Sequence, residues 1–267
     1  MRYRVDHDFH VHTYLSSCSR NPKQNPDFLI KYAKEHGIRT ICITDHFWDS
    51  SIADASRWYG AQNFDHICKI LPLPSDDDVR LIFGCEGELR RDLTLGISKE
   101  LFDSFDMIVI PTTHMHMKGL TISDDGSESC EERARLWVKR LEAVLYMDLP
   151  FHKVGIAHLG CYLMNKSSDE DYLNTVKAIP DEEMTRLFAR AAELGVGIEL
   201  NDSDLKLAFE HGECIMRIFR IAKACGCKFY LGSDAHHPEE FSGAAGRFNR
   251  IVDELSLTEE DKFIPQK

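Results

Sequence analysis

The sequence predicts an α/β protein with parallel strands that close into a barrel. Short apolar segments alternate along the chain with stretches that carry helix signals. This alternation implies a parallel sheet with right-handed crossovers, and about seven or eight such units usually close into a barrel. The 267 residues allow one large barrel or two small domains. Because no linker, low-complexity tract or fixed-period repeat divides the chain, we predict a single domain over residues 1–267.

Seven segments have the apolar or alternating composition of β-strands. They are short, and polar or glycine-containing stretches separate them. The predicted strands are Arg4 to Val11, Thr40 to Thr44, Arg80 to Cys85, Met107 to Thr112, Val154 to Ala157, Val196 to Leu200 and Lys228 to Gly232.

Three stretches between the strands have clear helix boundaries. Asn25 offers an N-cap, Pro26 suits the first helical position, and Gly37 supplies the stop. Apolar residues at helical spacing predict two more helices, one from Pro180-Asp181 to Gly195 and one from about Glu213 to Gly226. Polar composition predicts a turn at residues 75–78 and surface excursions at residues 119–131 and 167–177.

Composition restricts the class of partner and the compartment. The net charge of −12 and the pI near 5.5 argue against long nucleic acids, whose recognition needs clustered Lys and Arg. The nine cysteines are scattered and odd in number, which indicates reduced thiols. The chain starts with charged residues and contains no long apolar run. We therefore expect a cytoplasmic protein with no membrane partner.

Potential metal ligands follow six of the seven predicted strands. His10 and His12 lie two apart on an extended strand, so both imidazoles project to the same side. Each residue taken alone has a simpler explanation, since a single His is usually structural and Asp45 suits an N-cap. Together they predict a metal site at the C-terminal ends of the parallel strands. Its His, Asp and Glu ligands suit zinc, manganese, iron or cobalt. The other candidates are His46, Glu86, His114, His158, Asp234 and His236.

The order of these motifs resembles that of the PHP (polymerase and histidinol phosphatase) family. The resemblance spans about residues 5 to 240 and is closest to the stand-alone histidinol-phosphatase type. Its motifs are DFHVHT at residues 8–13, ITDH at 43–46, Gly84 to Glu86 followed by His114, and LGSDAH at 231–236, with His158 between the last two.

The resemblance implies a distorted (β/α)7 TIM-like barrel with two or three divalent ions, either zinc, manganese or iron. It assigns one ion to His10, His12, Glu86 and Asp234, a second to Glu86, His114 and His158, and a third to His46, His236 and Cys18. Related enzymes often have His where this chain has Cys18. The residues expected to act most directly in catalysis are Asp234, Glu86 and His236.

Two metal ions about 3.5–4 Å apart generate hydroxide and clamp phosphoryl oxygens, which makes a small phosphomonoester the expected substrate, histidinol phosphate being one candidate. Among the cations of the surrounding loops, Arg57, Arg91 and Lys118 included, Arg20 and Arg90 are the preferred phosphate ligands. His116 and His237 are further candidates for substrate contact. Two alternatives remain, an amidohydrolase that cleaves C–N bonds and a non-catalytic module stabilised by metal.

Overall fold

Parallel strands form the centre of the protein in this computed structural model, which describes residues 1–266. The strands are β1 (His7–Val11), β2 (Thr40–Ile43), β3 (His46–Phe47), β4 (Arg80–Gly87), β5 (Met107–Pro111), β6 (Val154–Ala157), β7 (Gly197–Asn201) and β8 (Lys228–Gly232). The main sheet has the order β1-β2-β4-β5-β6-β7-β8, and the short β3 pairs with β4. Each of the seven predicted strands is present, and β3 is an addition to them.

The sheet curves until its first and last strands meet. The backbone N–H of Asp234 donates to the His10 carbonyl at 2.7 Å, and that of His12 donates to the Ala235 carbonyl at 3.1 Å. These contacts join the C-terminal end of β1 to the segment that follows β8. The prediction of a distorted, single-domain α/β barrel is confirmed, because the seven main strands of the described chain form a nearly closed parallel barrel with flanking helices.

The three predicted helices are confirmed. Asn25 caps the first by accepting from the Phe28 N–H, and Gly37 and Gly195 end the first and second in the left-handed conformation, each with φ of 70°. Within residues 1–266 the helices are α1 (Pro26–His36), α2 (Arg57–Gly60), α3 (Phe64–Ile67), α4 (Cys130–Leu145), α5 (Asp169–Ala178), α6 (Asp181–Leu194), α7 (Asp202–His211), α8 (Glu213–Ala224) and α9 (Ala244–Glu254).

One predicted surface excursion is wrong. Residues 167–177 lie mostly in α5, which Ser168 caps by accepting from the Asp171 N–H. The acidic first turn of α5 gave this segment its loop-like composition, but charge of that sign at a helix N-terminus is favourable. The helix buries Tyr172, Thr175 and Val176.

Alternate residues of the strands pack into two separate hydrophobic clusters. Ile108 and Ile110 of β5 belong to the large cluster beneath the helices, whereas Met107 and Val109 belong to a smaller cluster inside the barrel. No helix among the described residues is long and apolar enough to span a membrane. The barrel interior is filled by Phe9, Cys42, Ile82, Met107, Val109, Ala157, Tyr230 and Phe263.

Candidate metal centre

The C-terminal ends of β1, β4 and β8 bring a first group of predicted ligands together. His10 Nε2 lies 3.4 Å and His12 Nε2 lies 3.1 Å from Asp234 Oδ1. The same two nitrogens lie 3.7 and 3.5 Å from Glu86 Oε2. The histidines and Glu86 are buried, while Asp234 remains 23% exposed. Four donor side chains therefore converge on one small volume.

The hydrogen bonds at the far side of each imidazole determine which nitrogen carries the proton. His10 Nδ1 lies 2.8 Å from Glu199 Oε1, which accepts its proton. His12 Nδ1 lies 3.0 Å from Ser16 Oγ, and the Ser16 hydroxyl donates its own proton to Asp45 Oδ1 at 2.6 Å. Ser16 therefore accepts from His12. Both Nε2 atoms, which lie 3.2 Å apart, are left with lone pairs that face each other.

A second group consists of Glu86, His114 and His158, whose ligand atoms lie within 4.8 Å of one another. His158 Nε2 is 3.2 Å and His114 Nε2 is 4.0 Å from Glu86 Oε1. The Thr113 hydroxyl donates to the His158 carbonyl at 3.0 Å, so it accepts from His158 Nδ1 at 2.9 Å. The Nε2 lone pair of His158 is thereby directed at Glu86.

A third group contains His12, His46 and His236. His236 Nδ1 lies 2.8 Å from the Asp234 carbonyl, to which it donates, so its Nε2 is free to bind a cation. Cys18 is not part of this group of three, but its thiol interacts with both His46 and His236, and it lines the same cavity. Burial would raise the pKa of the Cys18 thiol, but interaction with His236 and His46 outweighs it and lowers that pKa to about 7.

Glu86 lies between all three groups. Its Oε1 faces His158, and its Oε2 lies 2.7 Å from His46 Nδ1 without the alignment of a hydrogen bond. Burial would raise the pKa of the Glu86 carboxyl, but His46 and His10 hold it well below its usual range.

A buried carboxylate oxygen and a buried ring nitrogen with no hydrogen-bond partner are costly unless something else binds them. Glu86 Oε2 and His46 Nδ1 are such atoms, and the imidazole lone pairs around them point inward. Carboxylate oxygens and neutral imidazoles are ligands of borderline divalent cations. The donor set of this site therefore fits divalent cations of this kind.

Glu88 supports the second group from behind. Its Oε2 accepts from His114 Nδ1 at 2.7 Å and from the Tyr59 hydroxyl at 2.7 Å. The buried Arg140 of α4 lies 3.6 Å from Glu88 Oε1. Burial would raise the pKa of Glu88, but His114 and Arg140 lower it. Glu88 therefore stays ionised and orients the His114 ring.

An open cavity of about 560 Å³ lies over the three groups. Carboxylate and imidazole groups from the ligand set form its floor, and its wall is mostly apolar. The lining residues are Cys18, His46, Ser56, Trp58, Tyr59, Glu86, His114, His116, Met117, Lys118, Leu120, Leu163, Asp234 and His236.

The predicted substrate contacts lie in different places. His116 lines the cavity, and burial together with His114 lowers its pKa to about 4. Arg20 and Arg90 are not among the residues of 1–266 that line it. Arg20 is exposed, and Arg90 pairs with Asp92 at 3.2 Å and with Asp54 at 3.5 Å. His237 does not line it either and precedes a short 3-10 helix. Among the lysines and arginines of the described chain, Lys118 lines the cavity.

Glu199 is absent from the predicted site residues, yet it accepts hydrogen bonds from two of the proposed ligands. Its Oε1 accepts from His10 Nδ1, and its Oε2 accepts from the His158 backbone N–H at 2.6 Å. The available signal was an acidic residue between the apolar Ile198 and Leu200 of β7. The fold also needs a glycine beside this carboxylate, because a Cβ atom at Gly232 would collide with Glu199 and His10.

Comparison with known proteins identifies the family and the fold of the chain. The model of the PHP domain family matches residues 8–203. A protein of Aliivibrio fischeri (strain MJ11) named as a probable phosphatase is 23% identical over 256 residues, which cover 95% of this chain and 86% of that protein. The crystal structure of histidinol phosphate phosphatase from Lactococcus lactis subsp. lactis Il1403, complexed with zinc, L-histidinol and phosphate, matches with a TM-score of 0.58. The two chains are 15% identical, and the match covers 97% of this chain and 98% of the other. This structural match shows a shared fold.

Proposed function

The chain belongs to the PHP domain family, and on that premise we propose that it is a metal-dependent phosphomonoesterase acting on a small molecule. The observation that carries the proposal is the position of Glu86. One oxygen of this carboxylate faces His158 and the other faces the histidines of the first and third groups. A carboxylate so placed can bridge two cations, which is the arrangement that phosphoryl transfer uses.

We assign the ligands by the groups that the structure forms. His10, His12, Glu86 and Asp234 would hold one ion, and Glu86, His114 and His158 a second. His46 and His236 would hold a third, with His12 or Cys18 completing the set. Zinc, manganese and iron all suit these donors. Bound together, such ions lower the pKa of a water molecule and neutralise charge on the phosphoryl oxygens.

Other residues of the chain orient the metal ligands and supply positive charge for the phosphate group of the substrate. Glu199 and Glu88 keep His10 and His114 in the tautomer whose Nε2 faces the centre. Lys118 supplies a cation at the cavity for the phosphate group, whose oxygens need positively charged partners. His116 and His236 line the cavity beside it and can contact the substrate.

The dimensions of the site favour a small substrate. A cavity of about 560 Å³ accommodates a metabolite-sized molecule. The net charge of −12 disfavours a long polyanion. Histidinol phosphate, the substrate implied by the name of the Lactococcus lactis enzyme, is one candidate.

A substrate panel on the metal-loaded protein tests the proposal. Small phosphomonoesters should be hydrolysed far faster than phosphodiesters, oligonucleotides or amides. Glu86→Gln should reduce turnover by about three orders of magnitude or more, because it removes the bridging charge, while thermal unfolding shows a retained fold. Glu193→Gln, at an exposed glutamate on α6, is the matched control and should leave turnover unchanged. Faster cleavage of amides than of phosphomonoesters would assign the site to the amidohydrolase alternative.

A further inference from the structure

One wall of the cavity is built for an apolar group. Trp58, Met117, Leu120 and Leu163 line the cavity, and we call these four residues the apolar wall. Trp58 is 36% exposed, so a large part of its indole surface is available to a bound molecule. Exposed aromatic surface inside a pocket is a typical binding element for flat apolar groups.

The apolar wall is held at a fixed position relative to the metal centre. The Trp58 ring lies 5.0 Å from the His46 ring and 4.7 Å from the Tyr59 ring, in edge-on geometry to both. Tyr59 is anchored through its hydroxyl to Glu88. Leu120 packs with Trp48 and Tyr59 in a hydrophobic cluster, against which Met117 also packs. The wall is therefore formed before any substrate binds.

Charge at the cavity distinguishes between possible substrates. Among the described residues that line it, the carboxylates are Glu86 and Asp234, and both belong to the metal groups. Lys118 adds positive charge. An ammonium group on the substrate would therefore find no carboxylate partner outside the metal groups to offset the water that it gives up on binding. A neutral ring has no charge to desolvate and would pack on the apolar wall.

We propose that the substrate is a phosphomonoester whose alcohol carries a flat apolar ring and no ammonium group, and that Trp58 selects for this ring. The inference rests on the proposed phosphomonoesterase function and narrows its candidates. In the reaction, a water oxygen forms a bond to phosphorus, the bond from phosphorus to the ester oxygen breaks, and the alcohol leaves with a proton. Histidinol phosphate, which carries an ammonium group, should be a poor substrate.

Three esters with unactivated alkyl alcohols separate the contributions of ring and charge. 3-Phenylpropyl phosphate has the ring, propyl phosphate lacks it, and L-phenylalaninol phosphate has both the ring and an ammonium group. For the metal-loaded protein, kcat/KM for 3-phenylpropyl phosphate should exceed that for each of the other two by about 10-fold or more. The ammonium group makes its alcohol a better leaving group, so a preference for the neutral ester cannot arise from intrinsic reactivity.

Variants then assign the preference to Trp58. Trp58→Ala should reduce the ratio of kcat/KM for 3-phenylpropyl phosphate over propyl phosphate by about 10-fold, mainly through KM, because the ring loses its packing surface. Trp58→Phe should keep most of the ratio. Tyr146→Ala, at an aromatic residue that is 66% exposed and outside the cavity, is the matched control and should keep all of it.

The outcomes separate the inference from the function on which it rests. If all three esters are hydrolysed but L-phenylalaninol phosphate is equal or better, or if Trp58→Ala leaves the ratio unchanged, the inference is overturned and the phosphomonoesterase stands. If none of the three esters nor any other phosphomonoester is hydrolysed by protein of verified metal content, the proposed function itself fails, and the inference fails with it.

Discussion

Replacing Glu199 by Gln should weaken metal binding although Glu199 touches no proposed ion. The side chain is fully buried and accepts from His10 Nδ1 and from the His158 N–H. Gln has the same shape but only one acceptor oxygen, so its NH₂ group must face a donor at one of these two positions. Loss of such a supporting hydrogen bond typically lowers metal affinity by about 10- to 100-fold. That range corresponds to about 1.4–2.8 kcal/mol.

Competition with a chromophoric chelator measures the effect on zinc affinity directly. Glu193→Gln, on the exposed surface of α6, controls for the change of charge. At saturating zinc, Glu199→Gln should recover a substantial part of its turnover, because the ligands themselves are intact. Zinc affinity within about twofold of the unaltered protein would refute the role assigned to Glu199.

Three further predictions concern metal binding by Cys18, phosphate binding by Lys118 and the contribution of Asp6 to stability. Cys18→Ser should lower the occupancy of one ion while leaving the others bound, and Cys18→His should restore that occupancy. A zinc-loaded structure in which Cys18 Sγ lies more than about 4 Å from every ion would exclude Cys18 as a ligand. Lys118→Ala should raise KM for a small phosphomonoester by about 3- to 10-fold, and Lys118→Arg should raise it less; an unchanged KM in steady-state kinetics would remove Lys118 from the phosphate site. Burial would raise the pKa of Asp6, but hydrogen bonds from His7 and Lys262 lower it well below its usual range. A carboxyl whose pKa is lower in the folded state than in the unfolded state stabilises the folded protein at pH values above its unfolded pKa of about 3.9. Asp6→Asn should therefore lower the free energy of unfolding by about 1 kcal/mol at pH 7 and by less below pH 4. Urea unfolding that shows the same difference at both pH values would contradict this.

The barrel and the proximity of the candidate ligands could be predicted from the sequence, because both follow from the order of strand and helix segments along the chain. Strand and helix segments alternate, and parallel strands all end at one face. Residues at the C-terminal ends of these strands therefore approach one another, as His10 of β1, Glu86 of β4 and Asp234 after β8 do. The ends of α1 and α6 could also be predicted, because Gly37 and Gly195 readily adopt the left-handed conformation that ends each helix.

What the sequence could not predict depends on contacts between distant segments. In the sequence Glu199 is a single charged residue in a predicted strand. Its contact with His10, which is 189 positions away, is visible only in the folded structure. Arg90 follows a metal motif closely, yet its side chain pairs with Asp54 and Asp92. The apolar wall comes from separate segments of the chain that no spacing pattern connects, so its relation to the cavity is visible only in three dimensions.

The central claim is that clustered ions at this site hydrolyse a phosphomonoester, and one joint measurement tests it most directly. Elemental analysis and phosphomonoester turnover are determined on the same samples, from protein purified without chelator through stepwise depletion and reconstitution with zinc or manganese. We expect at least two ions per chain and turnover that rises with occupancy. Less than about one ion per chain after reconstitution, or turnover that does not depend on occupancy, would contradict the claim.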